Sequence, residues 1–361
     1  MPFPIQLNPT HEAIVQAVLQ KAAARCPGSL SLIAVYGSVA RGDVHAHSDL
    51  DLLLVTNDDG AQVLGHTFVL EGIGQDLYCT PWHRLEQEAA DPNVNISRWM
   101  DCIILWQESD VAAQRLHDLR MQAAELLTRR TPAQAMELAA QAFTPAYPAY
   151  ARLMYRTDLP QCRMESAMML YAAQYAVCIA NRAYFRKGVA DRYAELASMA
   201  LRPQNLIPLM EDVVRAADLP ALRTACTALM GAMDTFLQPE VSLPLPRDLH
   251  TLQPRLTGTW EEMVSNWRGK LQQAALQGDA HLALMSIAAC QFMVEEAGIP
   301  DALLPKPASH AYLPHDPAQC AENFDAFLQQ YGQIYYHAGM PRVIYTSLDE
   351  FIDAYTGQSH F

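Results

Sequence analysis

Residues 29–55 read SLSLIAVYGSVARGDVHAHSDLDLLLV, and this stretch decides the fold of the first part of the chain. The run Leu30–Tyr36 is rich in β-forming residues and ends at a Gly-Ser pair, which is typical of a strand followed by a tight turn. The run Leu50–Val55 is almost continuously apolar, like a strand buried on both faces of a sheet. The stretch therefore predicts two strands joined by a short helical or looped connection.

Two carboxylates, Asp49 and Asp51, interrupt the start of the second strand. Side chains alternate between faces along a strand, so these two should point the same way and lie side by side. Two like charges beside an apolar run are unfavourable unless a cation or a proton neutralises them. Because Mg²⁺ prefers carboxylate oxygens together with substrate phosphates, the pair predicts a divalent metal site.

A second group of residues suited to phosphate follows the first strand. Glycine at position 37 allows the backbone to approach a ligand closely, and the hydroxyl of Ser38 can hold a phosphate together with neighbouring N–H groups. Arg41 is a planar donor suited to phosphate oxygens, and Gly42 allows the chain to turn. The alternative is a surface turn followed by two solvated aspartates, but the flanking strand patterns favour a functional site.

Three short motifs occur here in order, namely Gly37-Ser38, Arg41-Gly42 and Ser48-Asp49-Leu50-Asp51. Together they resemble the signature of the DNA polymerase β-like nucleotidyltransferase superfamily, in particular its aminoglycoside and minimal nucleotidyltransferases. The resemblance covers about residues 10–130 and implies that the aspartates bind Mg²⁺, with two ions expected. It also implies a third carboxylate on a later strand. The residues expected to bind ATP or another NTP are Gly37, Ser38, Arg41 and Ser48.

The segment after the aspartates supplies one candidate for the third carboxylate. The runs Thr67–Leu70 and Gln75–Thr80 predict two strands or one hairpin, and Asp76 lies in the second run. An edge-strand aspartate pointing to water is the alternative, but the apolar neighbours of Asp76 and its position after the first aspartates favour a functional role. We therefore predict Asp49, Asp51 and Asp76 as the catalytic and metal-binding residues.

The composition changes near Thr131, where strand patterns almost vanish and alanine, leucine, methionine and glutamine dominate. The most apolar helical stretch, residues 164–187, should lie at the centre of a bundle and end at Gly188. The predicted fold class is α+β, with a polymerase β-like mixed sheet and flanking helices followed by an all-α bundle. The predicted domains are a catalytic domain at 1–130, a helical bundle at 131–240 and a helical extension packed with it at 241–361.

Bulk properties describe a globular protein with a substantial core. The chain has 361 residues, of which 51% are hydrophobic, and no run approaches the roughly 18 apolar residues of a membrane span. Its first residues have neither a basic segment nor an apolar core, so a signal peptide is not expected. The eight cysteines form no CxxC pair and are expected to be buried free thiols. We expect a cytoplasmic protein without a membrane partner.

The charge of the chain bears on which kind of molecule would accept the nucleotidyl group. The formal net charge is −14, and nucleic-acid binding normally requires a basic surface that displaces counterions. An acidic cleft concentrates cations instead, so a cationic small molecule with a hydroxyl group is favoured over nucleic acid. Glu165 is a candidate for the wall of such a cleft, with an ordinary solvated glutamate as the alternative.

These observations, with the resemblance, predict Mg²⁺-dependent transfer of AMP from ATP to a hydroxyl of a small acceptor, such as an aminoglycoside-like antibiotic, with release of pyrophosphate. Two alternatives stay open. The same chemistry could act on a protein or a tRNA, as in toxin or regulatory nucleotidyltransferases. The fold could instead serve as a non-catalytic antitoxin or regulator. A homodimer is compatible with each of these.

Overall fold

The computed structural model of this protein describes residues 4–44, 48–187, 192–238, 249–299, 303–304 and 306–356. The chain divides into two compact units, Met1–Pro239 and Glu240–Phe361. The first unit holds a five-stranded sheet with its helices and then an all-helical segment, and the described part of the second unit is helical. This architecture confirms the predicted α+β fold class.

The sheet-bearing segment of the first unit alternates helices and strands along the sequence. Its strands are β1 (Leu30–Val35), β2 (Asp51–Thr56), β3 (His66–Leu70), β4 (Ile73–Pro81) and β5 (Ile103–Gln107). Its helices are α1 (Pro9–Arg25), α2 (Gly37–Arg41), α3 (Trp82–Ala90), α4 (Ser97–Met100) and α5 (Asp110–Arg129), and a 3₁₀ helix covers Asp59–Leu64. Strands β1 to β4 lie at the four strand patterns predicted from the sequence.

The sheet is mixed, with the strand order β3-β4-β2-β1-β5. Strand β1 pairs antiparallel with both β2 and β5, and β3 pairs antiparallel with β4. Strand β2 pairs with β4 in parallel, in a register that places Asp51 directly across from Asp76. The topology therefore brings two carboxylates that are 25 positions apart in the sequence to neighbouring strands at one end of the sheet.

Both faces of the two central strands are covered, which explains why their sequences are almost continuously apolar. Side chains on one face pack against α1, and this layer includes Val15, Ile33, Val35, Leu52 and Leu54. Side chains on the other face pack against α3–α5, and this layer includes Leu32, Leu53, Val55, Trp82, Trp99 and Leu116. By strand alternation Asp51 shares its face with Leu53, so it lies on the side of α3–α5.

The helical segment of the first unit is built around one long buried helix. Its helices are α6 (Pro132–Phe143), α7 (Ala146–Tyr155), α8 (Leu159–Ala180), α9 (Arg192–Ser198), α10 (Leu206–Arg215) and α11 (Leu219–Leu237). Helix α8 is the predicted central helix, and many of its side chains are buried in the core shared with α6, α7, α10 and α11. The bundle prediction is therefore confirmed, although the boundaries of this helix differ from those expected.

Helix α8 ends at Ala180, earlier than the pattern through residue 187 predicts. The side-chain amide of Asn181 donates to the carbonyl groups of Val177 and Leu201 at 2.7 Å each, and Arg182 adopts a positive φ of 55°. A left-handed residue terminates a helix because the next carbonyl can no longer point along the axis. The predicted terminator, Gly188, lies outside the described residues.

The chain after α8 packs against the sheet-bearing segment. The backbone N–H of Phe185 donates to the carbonyl oxygen of Val94 at 2.9 Å, and the Phe185 side chain is buried. The hydroxyl of Tyr184 donates to a carboxylate oxygen of Asp101 at 2.8 Å. These bonds fix the course of residues 184–185 beside the sheet.

The second unit has its own core. Its helices are α12 (Gln253–Leu256), α13 (Thr259–Glu262), a π-helix at Met263–Trp267, α14 (Arg268–Gln277), α15 (Ala280–Ala297), α16 (Pro317–His337) and α17 (Leu348–Thr356), with 3₁₀ turns at Leu249–Leu252 and Ala308–Ala311. Aromatic side chains of α16, including Phe324 and Tyr331, fill the centre of this core. Within the part of the chain that the structure describes, no helix is long and apolar enough to cross a membrane.

Candidate functional site

The centre of the candidate site is the end of the sheet where β2 begins. Asp51 is the first residue of β2, and its register partner on β4 is Asp76. Asp49 lies just before the strand and is exposed, while Asp51 and Asp76 are each half-buried. The sequence placed Asp49 inside the strand, so this detail of the prediction is wrong. Strand β2 begins at Asp51 because its pairing with β4 starts there, whereas its pairing with β1 reaches back only to Leu52.

Asp49 and Asp76 lie close enough to Asp51 to affect its pKa. Burial raises the pKa of Asp51 to about 6, and the negative charges of Asp49 and Asp76 add to this rise. The positive charge of Arg41 acts in the opposite direction, which places its guanidinium near the same carboxylate. A carboxylate with a pKa near 6 is poised to bind either a proton or a cation.

The turn after β1 passes directly beside Asp51. Gly37 begins α2 with a φ of +68°, a left-handed conformation that glycine adopts without strain. A Cβ at this position would overlap the Oδ2 atom of Asp51 and would lie 3.2 Å from its Cγ. Glycine is thus required here for two reasons, the backbone conformation and the close approach of the carboxylate.

Two serines predicted to contact the nucleotide occupy different surroundings. The Oγ atom of Ser38 is buried and has no hydrogen-bond partner among the described residues. Ser48, immediately before the aspartates, is buried, with 7% of its surface exposed. The hydroxyl of Ser38 is thus buried without a partner, which is uncommon in a native fold and can mark a place where a ligand completes the hydrogen bonding.

The predicted phosphate-binding arginine already has a partner in the chain. The Nε atom of Arg41 donates to Asp43 at 3.0 Å, and this ion pair holds the pKa of Asp43 below its ordinary value. Both side chains are partly exposed, so solvent screens the pair and its contribution to stability is small. The bond to Asp43 uses one donor and leaves the other guanidinium hydrogens for a further acceptor.

Comparison with known proteins identifies a family for part of the sheet-bearing segment. Residues 17–92 match the model of the nucleotidyltransferase domain family. This segment is a nucleotidyltransferase domain of the polymerase β-like superfamily. A nucleotidyltransferase-like protein from Exiguobacterium sibiricum 255-15 is similar in structure, with 15% sequence identity and a TM-score of 0.37 over 64% of this chain and 76% of that one. A search of curated proteins found no match.

A buried glutamine positions the aspartates of this nucleotidyltransferase domain, and the sequence analysis missed it. The side-chain oxygen of Gln75 accepts a hydrogen bond from the backbone N–H of Leu50 at 3.0 Å. Gln75 is 5% exposed and stands beside Asp76 on β4, so this bond holds the segment between the two aspartates against the neighbouring strand. Its signal in the sequence was a polar residue directly before Asp76 in a strand pattern.

Tyr36 is a second residue of the nucleotidyltransferase domain that the sequence analysis did not single out. Its backbone N–H donates to the carbonyl oxygen of Asp51 at 3.1 Å. Burial raises the pKa of its phenol, and the charges of Asp51 and Asp76 raise it further, while Arg98 lowers it. The phenol therefore keeps its proton, and it lies close to the carboxylates that shift its pKa.

The carboxylates of the nucleotidyltransferase domain do not form a complete metal site on their own. Within the described ranges, no group of three or more His, Cys, Asp or Glu side chains is arranged to hold a metal ion. One oxygen of Asp76 accepts a hydrogen bond from the hydroxyl of Thr67 at 3.0 Å. Any metal bound here would therefore need further oxygen ligands from outside the chain, such as phosphate groups.

Glu165, the predicted wall residue, has a structural role instead. Its side chain is buried, and its two oxygens accept hydrogen bonds from Arg152 at 2.9 and 2.8 Å. Arg156 adds an ion pair at 3.0 Å, and the pKa of Glu165 is lowered, mainly by the hydrogen bond from Arg152. The carboxylate is thus neither a solvated first-turn glutamate nor available to a cationic acceptor.

Proposed function

We propose that the nucleotidyltransferase domain transfers a nucleotidyl group, AMP from ATP, to a hydroxyl of a small-molecule acceptor and releases pyrophosphate. The observation that carries this proposal is the register of β2 and β4, which sets Asp51 across from Asp76 beside the turn at Gly37. Carboxylates next to a turn that requires glycine are what a triphosphate and its cations need. The match of residues 17–92 to the nucleotidyltransferase domain family supports the same reaction class.

The residues of the site fit a nucleotide triphosphate with divalent cations. The unpartnered Oγ of Ser38 can donate to a phosphate oxygen, and the absence of a side chain at Gly37 lets the carboxylate of Asp51 lie directly beside this turn. The triphosphate would be held by Gly37, Ser38, Arg41 and Ser48, and the cations by Asp49, Asp51 and Asp76. When bound, Mg²⁺ would stabilise the negative charge on the attacking and leaving oxygens.

The side chains of the chain itself contribute binding, orientation and proton transfer. Gln75 holds the backbone at Leu50, so the aspartates on either side keep a fixed direction. Arg41 adds a positive charge close to Asp51, where the phosphates would bring additional negative charge. Asp76 is the candidate to accept the proton of the acceptor hydroxyl, because its second oxygen is not used by Thr67.

The net charge of the chain is the basis for the proposed class of acceptor, which is separate from the proposed reaction. With a net charge of −14, the chain favours a cationic hydroxylated molecule, such as an aminoglycoside, over a nucleic acid. A protein acceptor and a non-catalytic regulatory role are the alternatives. Charge bears on the acceptor alone, so a different acceptor would leave the nucleotidyl-transfer chemistry unchanged.

The test is incubation of the whole protein with labelled ATP, Mg²⁺ and one acceptor class at a time, followed by mass spectrometry for an adduct. The acceptor panels are aminoglycosides, other small metabolites, tRNA and proteins. We expect the wild-type protein to form adducts on a cationic small molecule and Asp51→Asn to form none. The control variant Asp118→Asn, on α5, should give the same yield of adduct as wild type. Adducts confined to tRNA would overturn the acceptor, and equal yield from wild type and Asp51→Asn would overturn the reaction.

A further inference from the structure

A cavity of about 290 Å³ lies in the helical segment of the first unit, outside the nucleotidyltransferase site. This volume is close to the lower end of the range for small-molecule sites, about 300–1,000 Å³. Tyr171 and Val214 are partly exposed at its rim, so a solute can reach it from solvent. The residues that line it are Ala167, Leu170, Tyr171, Gln174, Arg192, Tyr193 and Val214.

The wall of this cavity carries a buried positive charge. Arg192 is only 7% exposed, and its Nε and Nη1 atoms are buried without a hydrogen-bond partner among the described residues. Its guanidinium carbon lies 3.6 Å from the centre of the Phe185 ring, which fixes the plane of the group by stacking. Phe185 is itself anchored by its backbone bond to Val94, so the arginine rests on a rigid support.

The nearest acidic side chain along α9 already has other partners. The carboxylate of Glu195 accepts hydrogen bonds from the backbone N–H groups of Arg186 at 2.7 Å and Lys187 at 3.2 Å. An arginine cannot lose its proton in a protein, so burial cannot neutralise Arg192. A buried cation with unused donors is unfavourable unless an anion binds to it.

We propose that this cavity binds a small organic monoanion, a carboxylate with an aromatic or aliphatic body. The carboxylate would accept hydrogen bonds from Arg192, and the body would lie against Leu170, Tyr171 and Tyr193. Gln174, a further buried polar side chain on the wall, would select for a polar substituent on the ligand. The site goes beyond nucleotidyl transfer, because its charge repels the cationic acceptor proposed above.

Calorimetric titration of the whole protein, without nucleotide or metal, tests this with 3-phenylpropionate and its neutral analogue 3-phenylpropanamide. We expect the carboxylate to bind at least roughly tenfold more tightly, since hydrogen bonds to a charged group are worth about 1.5–3 kcal/mol. Arg192→Met should remove this preference, and Arg129→Met, on the exposed end of α5, should preserve it. Equal binding of acid and amide by wild type, or binding of neither, overturns the proposal.

A second variant tests the cavity without touching the charge. Val214 is 63% exposed at the rim, so Val214→Trp should leave the fold intact and weaken 3-phenylpropionate at least roughly tenfold by filling the cavity. Inorganic phosphate should bind far more weakly than 3-phenylpropionate; equal affinity would refute the role of the apolar walls. Asp51→Asn should bind 3-phenylpropionate like wild type, so this site can fail or succeed independently of the nucleotidyl-transfer proposal.

Discussion

Replacement of Asp51 by asparagine should stabilise the metal-free protein above pH 6 while abolishing nucleotidyl transfer. Asparagine keeps the shape of the side chain and removes a charge that lies close to Asp49 and Asp76. A residue selected for catalysis can be unfavourable for folding, and a like-charge cluster in a half-buried position is one physical reason. Stability and activity should therefore change in opposite directions.

The size of the effect follows from the pKa of Asp51, which burial raises from an ordinary 3.8 to about 6. Because the folded pKa is the higher one, the proton stabilises the fold below pH 4, and this stabilisation is lost as the pH rises through 6. At 1.36 kcal/mol for each pKa unit, about 3 kcal/mol is the upper limit. Partial exposure and salt screening reduce the expected gain of Asp51→Asn to about 1–2 kcal/mol at pH 7.5.

The assay is urea unfolding in the presence of EDTA, monitored by hydrogen exchange in peptides from β1 and β2. These peptides report on the nucleotidyltransferase domain separately from the second unit. The free energy of unfolding should be higher for Asp51→Asn at pH 7.5 and the same for both proteins at pH 4. Asp43→Asn is the matched control: Arg41 lowers the pKa of Asp43, so removing that charge should give no gain at pH 7.5.

Two results would refute this reasoning. Equal unfolding free energies at pH 7.5 would mean that neither burial nor the charges of Asp49 and Asp76 make an ionised Asp51 unfavourable in the folded protein. A gain of the same size at pH 4 and pH 7.5 would mean that the asparagine stabilises by packing or hydrogen bonding and not by removal of charge. In either case an ionised Asp51 would not be the source of an unfavourable charge in the folded protein.

Three further predictions concern the surroundings of the carboxylates. Gly37→Ala should lower turnover by roughly 100-fold or more, because its Cβ would clash with the carboxylate of Asp51. Gly42 also has a positive φ, +77°, but a Cβ there would meet open space, so Gly42→Ala should show only the backbone penalty of about 1 kcal/mol. Ser38→Ala should leave the melting temperature unchanged, since its Oγ has no partner, but weaken NTP binding by about 1.5–3 kcal/mol in calorimetry. Gln75→Leu should reduce the unfolding free energy by about 1–3 kcal/mol and lower turnover, because a buried N–H loses its acceptor.

Local patterns were sufficient to predict strands β1 to β4 and to propose which of their residues form a functional site. The apolar runs of β1 and β2 are buried on both faces, and burial of that kind leaves little freedom in which residues occupy them. Asp76 could be proposed as the third carboxylate because it lies among apolar neighbours in a later strand pattern. Its register with Asp51 confirms that the two lie together, while their chemical roles stay predictions.

The misses come from interactions between segments that are distant in the sequence. Gln75 has a clear role only when its bond to the backbone of Leu50, 25 positions earlier, is known. Glu165 was predicted as a wall residue, with a solvated glutamate as the alternative, and its burial depends on Arg152 from the preceding helix. The early end of α8 depends on Asn181, whose amide bonds to Leu201 across a turn. Periodicity contains no information about such contacts.

The fold keeps the carboxylates of this site close together despite their mutual repulsion, because burial of the surrounding strands stabilises the folded protein. The central residues of β1 and β2 are fully buried, and each buried aliphatic side chain contributes about 1.5–3 kcal/mol, more than the penalty expected at Asp51. The repulsion then favours whatever neutralises it. Protons compete with cations for Asp51 near pH 6, so metal-dependent NTP binding should weaken as the pH falls from 7.5 to 5. Calorimetric NTP affinity that stays constant over this range would show that the ionised form of Asp51 is not what binds the metal.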